Sequence, residues 1–279
     1  MLTPDLLLVA TTWMSAAILM AILWAWHLRI RNAAIVDVGW AGGLALAAVF
    51  ALLFGIGDPM RRGVAGLLML GWGARLALHL YQDRVRGHAE DPRYATLRAA
   101  RGSAANRWFF WFFQAQAVLV ALLSWPVMLS ASDVRPPESP LFWLGIVLGL
   151  VSIVGESVAD AQLRDFKRSA AHRGQVCRVG LWQYSRHPNY FFEWLVWVAY
   201  ALLATDSPSG WLAWACPAVM LYFLFRVTGI PATEAQALRS RGDAYAEYQR
   251  TTSAFVPWWP RTAPHGSRAH DLVTHNRVS

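Results

Sequence analysis

Polar and charged residues interrupt an apolar sequence in the stretch GLWQYSRHPNYFFEW, residues 180–194. Asn189 and Glu193 follow Pro188 with a spacing of four residues, which places their side chains on one face of a helix. Proline at this position favours a helix start, because its fixed φ suits the first turn. An amide and a carboxylate on consecutive turns could hold ribose hydroxyls or a carboxamide, and we expect them to face a binding site.

A second set of charged residues lies upstream with the same periodicity. Glu156, Asp160 and Arg164 are spaced at intervals of four residues and share one helix face. Taken alone, such residues could be ion pairs that anchor a helix end at the lipid headgroups. Together with Asn189 and Glu193 they favour a site, because ionisable groups in membrane spans usually pair or line a water-filled cavity.

Further candidates lie in the first third of the chain. Asp37 is either a carboxylate near a helix start, favoured by the helix dipole, or a catalytic group. Tyr81 is either an aromatic residue of the membrane interface or a hydrogen-bond donor, and His79 precedes it in the same apolar run. The segment EDPRY, residues 90–94, is either a plain turn or a lid over a cavity.

The composition is that of a membrane protein. Hydrophobic residues make up 56% of the chain and charged residues 15%, whereas soluble domains carry about 25% charged residues. The net charge of +8 fits arginines at the cytosolic ends of helices, so we expect no nucleic-acid partner. Cys177 and Cys216 lie in different settings without a metal-ligand spacing, so we expect neither a disulfide framework nor a metal site.

The apolar runs predict an all-α integral membrane protein with about seven transmembrane helices, because a span needs about 20 mostly apolar residues. We expect no cleaved signal peptide, because no basic region precedes the first run. We also expect a single domain over residues 1–260, with its cofactor-binding half at about 141–260, and a disordered tail over residues 261–279. The predicted spans are Leu6–Leu28, Ala33–Ile56, Val64–Tyr81, Trp108–Leu129, Leu141–Ala161, Tyr190–Ala204 and Trp211–Thr228.

Loop charges predict the orientation of the chain. The loops after the third and fifth predicted spans are rich in arginine, whereas those after the fourth and sixth are not. The positive-inside rule then puts the N-terminus outside and the C-terminus inside. Only Arg61 and Arg62 do not fit this rule, because they lie in a loop that it assigns to the outside. This orientation gathers the polar clusters at cytosolic helix ends, which predicts one cavity open to the cytosol, in what we expect to be a bacterial inner membrane.

The ligand predicted for this cavity is anionic and partly aromatic. Arginine makes bidentate phosphate contacts and stacks on flat rings, and the basic loops also carry tryptophan and tyrosine. These residues suit an adenine-containing cofactor or an anionic lipid headgroup. No GxGxxG follows a strand and no P-loop is present, so a soluble dinucleotide fold is excluded.

The chain resembles the steroid 5α-reductase family, and most of all its bacterial members of unknown substrate. The resemblance covers most of residues 33–260 and is strongest over 156–260. In the C-terminal part the resemblance is carried by Asp160 and Arg164, GLWxYSRHPNY at 180–190, Glu193, LxxxGxxYxxY at 238–248 and TxAFxP at 252–257. In the N-terminal part, IVDVxW at 35–40 and EDPRY at 90–94 also look like those bacterial members.

The resemblance implies a seven-helix reductase that holds NADPH in a cytosol-facing cavity. Hydride passes to the β-carbon of an enone, while a Glu and a Tyr on the N-terminal helices polarise the ketone oxygen. Asp37 is the nearest counterpart of that Glu, Tyr81 is the nearest tyrosine, and His79 could donate instead. These departures from the catalytic pair leave the steroid substrate open. Glu156 stands where steroid reductases have Asn, which is expected to alter the ribose or amide contact of the cofactor. The predicted cofactor contacts are Asp160, Arg164, Tyr184, Arg186, His187, Asn189, Tyr190, Glu193 and Tyr245.

The string GxxxxSRHPxY is also similar to that of isoprenylcysteine carboxyl methyltransferases and membrane phospholipid methyltransferases, which bind S-adenosylmethionine. In those families a pair of glutamates follows the last helix, whereas this chain has the single Glu234. A reductase is therefore the first hypothesis and a methyltransferase the second; a non-enzymatic lipid-binding or transport protein is the third. We expect a lipophilic substrate and membrane lipid as partners, and no obligate protein partner.

Overall fold

The computed structural model describes residues 4–227 and 229–261, and these residues fold into helices joined by short turns. The only β-type pairing in the described ranges is an isolated bridge between Ser185 and Ser253. The predicted all-α class is thus confirmed. The predicted disordered tail, except for Arg261, lies outside the described residues. The α-helices are α1 (Pro4–Ile30), α2 (Ile35–Phe54), α3 (Pro59–Leu80), α4 (Pro92–Arg101), α5 (Ala105–Ser132), α6 (Pro140–Arg168), α7 (Pro188–Ala204), α8 (Ala215–Tyr222), α9 (Ile230–Arg241) and α10 (Asp243–Thr251).

Proline and aspartate mark two of the helix starts. Asp58 precedes Pro59 at the start of α3, and its carboxylate accepts hydrogen bonds from the Met60 and Arg61 amides at 2.9 and 3.1 Å. Asp91 caps α4 in the same way and accepts from the Arg93 amide at 2.9 Å. An aspartate cap satisfies amides that have no partner within the helix, and proline at the first position loses no hydrogen bond.

Six helical segments of the described chain are long and apolar enough to cross a membrane, as expected of an integral membrane protein. The predicted span Tyr190–Ala204 lies in α7, which has only 17 residues; this is the lower end of the usual length of about 17–25 residues. A seventh crossing and the orientation of the chain stay predictions. The six segments are Leu6–Ile30, Ile35–Phe54, Pro59–Val85, Pro92–Ser132, Pro140–Arg168 and Gly210–Arg241.

The chain divides into two compact units, and the expectation of a single domain over residues 1–260 stays a prediction. The first unit comprises Met1–Ile153 and Trp194–Met220, and the second Val154–Glu193 and Leu221–Ser279. The residues predicted for the site therefore fall into two groups: Asp37, His79 and Tyr81 lie in the first unit, and those of residues 156–193 together with Tyr245 lie in the second.

In the first unit α2 packs along α3, and α1 packs along α5. Small residues permit the close approach of α2 and α3, as is common between membrane helices. A Cβ atom on Gly73 would lie 2.9 Å from the carbonyl oxygen of Ala41. Large aromatic rings fill the adjoining core, where Trp72 meets Trp40 and Trp197 edge to face at 6.1 and 5.5 Å between centroids.

An ion network in the first unit joins the start of α3 to the segments that follow α5 and α7. Arg61 donates to both carboxylate oxygens of Asp206 at 2.8 Å, and its Nε lies 3.8 Å from Asp133. Arg62 donates to the Gly55 carbonyl oxygen at 2.7 Å. The charge of Arg61 is therefore neutralised within the protein, and Arg62 caps the end of α2. These contacts give both arginines a structural role, which explains why they do not follow the positive-inside pattern of the other loops.

In the second unit α9 and α10 pack together around two tyrosines. Tyr245 and Tyr248 are buried there with Ala237. Tyr248 donates hydrogen bonds to the carbonyl oxygens of Trp182 and Ser185, the latter at 3.2 Å. These bonds fasten the loop before α7 to α10.

Candidate functional site

The carboxylate of Asp37 collects three donors in the first unit. Asp37 lies in the first turn of α2. Its Oδ2 accepts from Arg84 at 2.6 Å and from Arg93 at 3.4 Å, and its Oδ1 accepts from the Tyr94 hydroxyl at 2.6 Å. Both oxygens act as acceptors, so Asp37 does not itself present a proton toward a substrate in this arrangement.

The segment that carries these donors is held in place by Glu90. Glu90 accepts from the Ala33 amide at 2.9 Å and makes a two-pronged contact with Arg98 at 2.9 and 2.7 Å. Burial alone would raise the pKa of Glu90, but the hydrogen bonds from Arg98 and Ala33 hold this pKa below its ordinary value. Asn32 adds a bond to the Arg84 carbonyl oxygen at 2.9 Å. The EDPRY segment is thus a fixed part of the cluster.

Tyr94, which was not among the residues predicted for the site, is a partner of Asp37. It is only 5% exposed and packs edge to face against Phe109 and Phe112. Among the described residues, the hydrogen-bond partners of Asp37 are Arg84, Arg93 and Tyr94, and neither Tyr81 nor His79 is one of them. Tyr81 begins a π-helical turn and packs against the hydrophobic core. Tyr94 is the last residue of EDPRY, the segment that was expected to be a turn or a lid.

In the second unit the loop before α7 is built on α6. Gly180 adopts a φ of +56°, a conformation that favours glycine. The next amide, of Leu181, donates to Gln162 at 2.9 Å, and the Trp182 indole donates to the Ala159 carbonyl oxygen at 2.9 Å. These bonds fix the start of α7 against the α6 turn that carries Asp160.

Arg186 and His187 face inward toward Glu234 on α9. The Arg186 Nε donates to Glu234 at 2.6 Å, and its Nη1 donates to the carbonyl oxygens of Gln249 and Thr252 at 2.8 and 2.7 Å. The ring of His187 lies 3.2 Å from the same carboxylate. The hydrogen bonds of Arg186 and His187 join this loop to α9 and to the end of α10. Direct contact of either side chain with a cofactor stays a prediction.

The predicted polar residues of α6 and α7 meet in the second unit. Asn189 donates to Asp160 at 3.3 Å. Asp160 is buried, as is Glu156 one turn earlier on α6. The two helices come close here because residue 155 is glycine: a Cβ atom there would lie 2.4 Å from the ring of Phe192. Two carboxylates and an amide are thus held on facing helices.

The predicted tyrosines have different surroundings. Tyr184 meets Trp259 edge to face, and Tyr190 stacks on His187 at 5.3 Å. Tyr245 is buried, and burial raises its pKa to about 12. The Tyr245 hydroxyl therefore stays protonated at neutral pH and offers a hydrogen-bond donor.

No group of three or more His, Cys, Asp or Glu side chains in the described ranges has the arrangement of a metal site. Cys177 and Cys216 are both buried free thiols.

Comparison with known proteins assigns the chain to a family. The sequence is 25% identical over 220 residues to a protein of Schizosaccharomyces pombe (strain 972) that is described only as uncharacterized. The match covers 69% of this chain and 63% of the yeast protein, so the chain spans less than two thirds of that relative. No solved structure matches. Residues 23–252 match the family described as "Protein of unknown function (DUF1295)", and the chain belongs to this family.

Proposed function

We propose that this protein is a membrane reductase that uses NADPH to saturate the C=C bond of an enone in a lipophilic, possibly steroid-like, substrate. The observation that carries the proposal is the hydrogen bond between the buried Tyr94 and the partly exposed carboxylate of Asp37, with Arg84 and Arg93 on the same carboxylate. A phenol oriented by a carboxylate is suited to polarising a carbonyl oxygen.

The residues of the second unit fit the cofactor. A dinucleotide presents ribose hydroxyls, a carboxamide and phosphates. Asp160 and Glu193 have acceptors for hydroxyls, Asn189 has both an acceptor and donors for a carboxamide, and Arg164 has a fork of donors for a phosphate. Asp160 and Asn189 already lie within hydrogen-bond distance on facing helices. NADPH would supply the hydride.

Tyr94 would act on the substrate carbonyl. As the β-carbon accepts hydride, negative charge develops on the carbonyl oxygen, and a hydrogen bond from Tyr94 would stabilise this charge. The single phenolic proton would turn from Asp37 to the substrate oxygen, while Arg84 and Arg93 would compensate the Asp37 carboxylate. A proton then adds to the α-carbon, so that one hydride and one proton saturate the bond.

The surroundings of Glu234 favour a reductase over a methyltransferase. Glu234 is the only glutamate in the segment where the methyltransferases carry a pair, and it binds Arg186, His187 and Gln249. A carboxylate with these three partners serves to join elements of the second unit. An S-adenosylmethionine-dependent methyltransferase remains the competing function, and the same experiment tests it.

The proposal is tested by isotope transfer. The purified protein is incubated with NADPH carrying deuterium at C4 of the nicotinamide and a panel of lipophilic cyclic enones, in parallel with S-adenosylmethionine carrying a labelled methyl group. We expect deuterium at the β-carbon of a reduced product. A labelled methyl group in the product, without deuterium, would replace the reductase by a methyltransferase.

A further inference from the structure

The second unit contains a polar cavity of about 350 Å³ beside the end of α10. Its lining includes Arg186, Arg250 and Arg261 together with Trp258 and Trp259, and it contains no acidic residue. Apart from Arg186, none of its lining residues is among the predicted cofactor contacts.

Backbone hydrogen bonds give the cavity its shape. The Trp258 amide donates to the Tyr184 carbonyl oxygen at 2.9 Å, and the Arg261 amide donates to that of Thr251 at 2.8 Å. These bonds turn the chain after α10 back along the helix. The side chains of residues 258–261 are thereby brought to the same cavity as those of residues 249–254.

The charge of the cavity is positive. Glu234 and backbone carbonyl oxygens already engage Arg186. Arg250 and Arg261 are exposed, and neither forms an ion pair with another residue of the described chain. Two such guanidinium groups beside a cavity without carboxylates favour an anion, and their planar fork suits a phosphate.

The two tryptophans indicate where the phosphate comes from. Trp258 and Trp259 are 68% and 71% exposed, although large aromatic side chains are usually well buried. In a protein with membrane-spanning segments, exposed tryptophan beside arginine is typical of the membrane–water interface. We infer that this cavity binds the headgroup of an anionic phospholipid, with Arg250 and Arg261 on the phosphate and the two indoles among the headgroups.

The test compares bound lipids in two matched variants. The full chain is purified in neutral detergent with equal amounts of phosphatidylglycerol and phosphatidylcholine, and the lipids that remain bound are quantified by native mass spectrometry. We expect the wild type to prefer phosphatidylglycerol. The variant R250Q/R261Q should lose this preference by about fivefold per arginine. The control R168Q/R239Q removes the same amount of charge by replacing two exposed arginines outside the cavity. This control should keep most of the preference for phosphatidylglycerol.

Two results would overturn the inference. One comes from the lipid assay: either the wild type shows no preference for phosphatidylglycerol, or R250Q/R261Q and the control lose this preference equally. An equal loss would mean that general surface charge explains the preference. The other comes from calorimetric titration with inorganic pyrophosphate in phosphatidylcholine alone. Tight pyrophosphate binding that R250Q/R261Q abolishes would assign the cavity to a soluble phosphate ligand, whereas weak binding that is equal in all variants supports the lipid.

Discussion

The hydroxyl of Tyr94 donates a 2.6 Å hydrogen bond to Oδ1 of Asp37, although 57 residues separate the two in sequence. Tyr94 lies on the short helix α4 and Asp37 in the first turn of α2. Arg84 and Arg93 bind the other oxygen of the carboxylate. A buried phenol with this support has a fixed orientation, which a group that polarises a substrate carbonyl needs.

Replacing Tyr94 by phenylalanine removes the proposed donor and keeps the ring that packs against Phe109. Loss of one donor to a developing oxyanion lowers kcat by about 10²–10³, so we expect a loss of this size in enone reduction by Y94F. The affinity for NADPH should not change. Steady-state kinetics and cofactor titration measure the two effects separately.

The matched control for this prediction is Tyr81→Phe. It removes a hydroxyl from the tyrosine that the sequence favoured but that does not bind Asp37. Turnover in Y81F should stay close to that of the wild type. If Y81F loses turnover while Y94F keeps it, Tyr94 has no catalytic role.

Asn189→Ala tests the cofactor site in the second unit. The change removes the amide that donates to Asp160 and leaves a buried carboxylate with one donor fewer. In the proposed complex the carboxamide of the bound nicotinamide would lose its partner, and an unmade hydrogen bond of a buried group costs about 1–3 kcal/mol, or roughly 5- to 150-fold in affinity. We expect the Kd for NADPH to rise within this range. Gln175→Ala, which removes an exposed amide, is the control, and equal affinities in both variants would refute the assignment.

Most membrane spans could be predicted because long apolar runs are a local feature of the sequence. The helix starts at Pro59 and Pro92 were not predicted, since the third span was expected to begin at Val64 and EDPRY to be a turn or a lid. The shared faces of α6 and α7 also followed from spacing, and the structure joins Asp160 to Asn189.

The partners of Asp37 and Arg61 could not be predicted in this way. A long-range contact depends on how helices pack, and no spacing rule connects Asp37 to Tyr94. Arg61 looked like an exposed loop cation that dissented from the charge pattern, but its partner Asp206 is 145 residues away. Charge counting along a loop cannot distinguish an exposed arginine from one that is neutralised inside the protein.

Glu90→Gln should lower thermal stability at neutral pH. The change breaks the contact with Arg98 and weakens the acceptor for the Ala33 amide. Hydrogen bonds to charged groups contribute about 1.5–3 kcal/mol each, so we expect the Tm to fall by several degrees in thermal unfolding followed by circular dichroism. Glu247→Gln, which removes an exposed partner of Arg178, should change the Tm little.

The effect of Glu90→Gln should also depend on pH. The folded-state pKa of Glu90 lies below its ordinary value of 4.5. Its contribution to stability is therefore complete above about 4.5 and is lost as the pH falls through the lowered pKa. The Tm difference between wild type and E90Q should stay constant near neutral pH and shrink only in acid. A difference that shrinks between about pH 6 and 8 would point to another group.

Arg61→Gln should destabilise the first unit far more than Arg135→Gln. Arg61 is buried and pairs with Asp206 and Asp133, whereas the side chain of Arg135 is 55% exposed. Removing one partner of a buried ion pair costs about 3–5 kcal/mol, and here Asp133 stays buried while Asp206 is partly exposed, so we expect a cost toward the lower end of this range. The midpoint of thermal unfolding should fall strongly in R61Q and modestly in R135Q. Equal shifts would mean that burial of the network contributes nothing.

The most direct test of the proposed reductase is isothermal titration of the detergent-purified protein with NADPH, NADH and S-adenosylmethionine in parallel. The account predicts saturable binding of NADPH, weaker binding of NADH and no binding of S-adenosylmethionine. Tight binding of S-adenosylmethionine without NADPH binding would contradict the account and make the chain a candidate methyltransferase. Absence of binding for all three would contradict it as well and leave a non-enzymatic lipid-binding role.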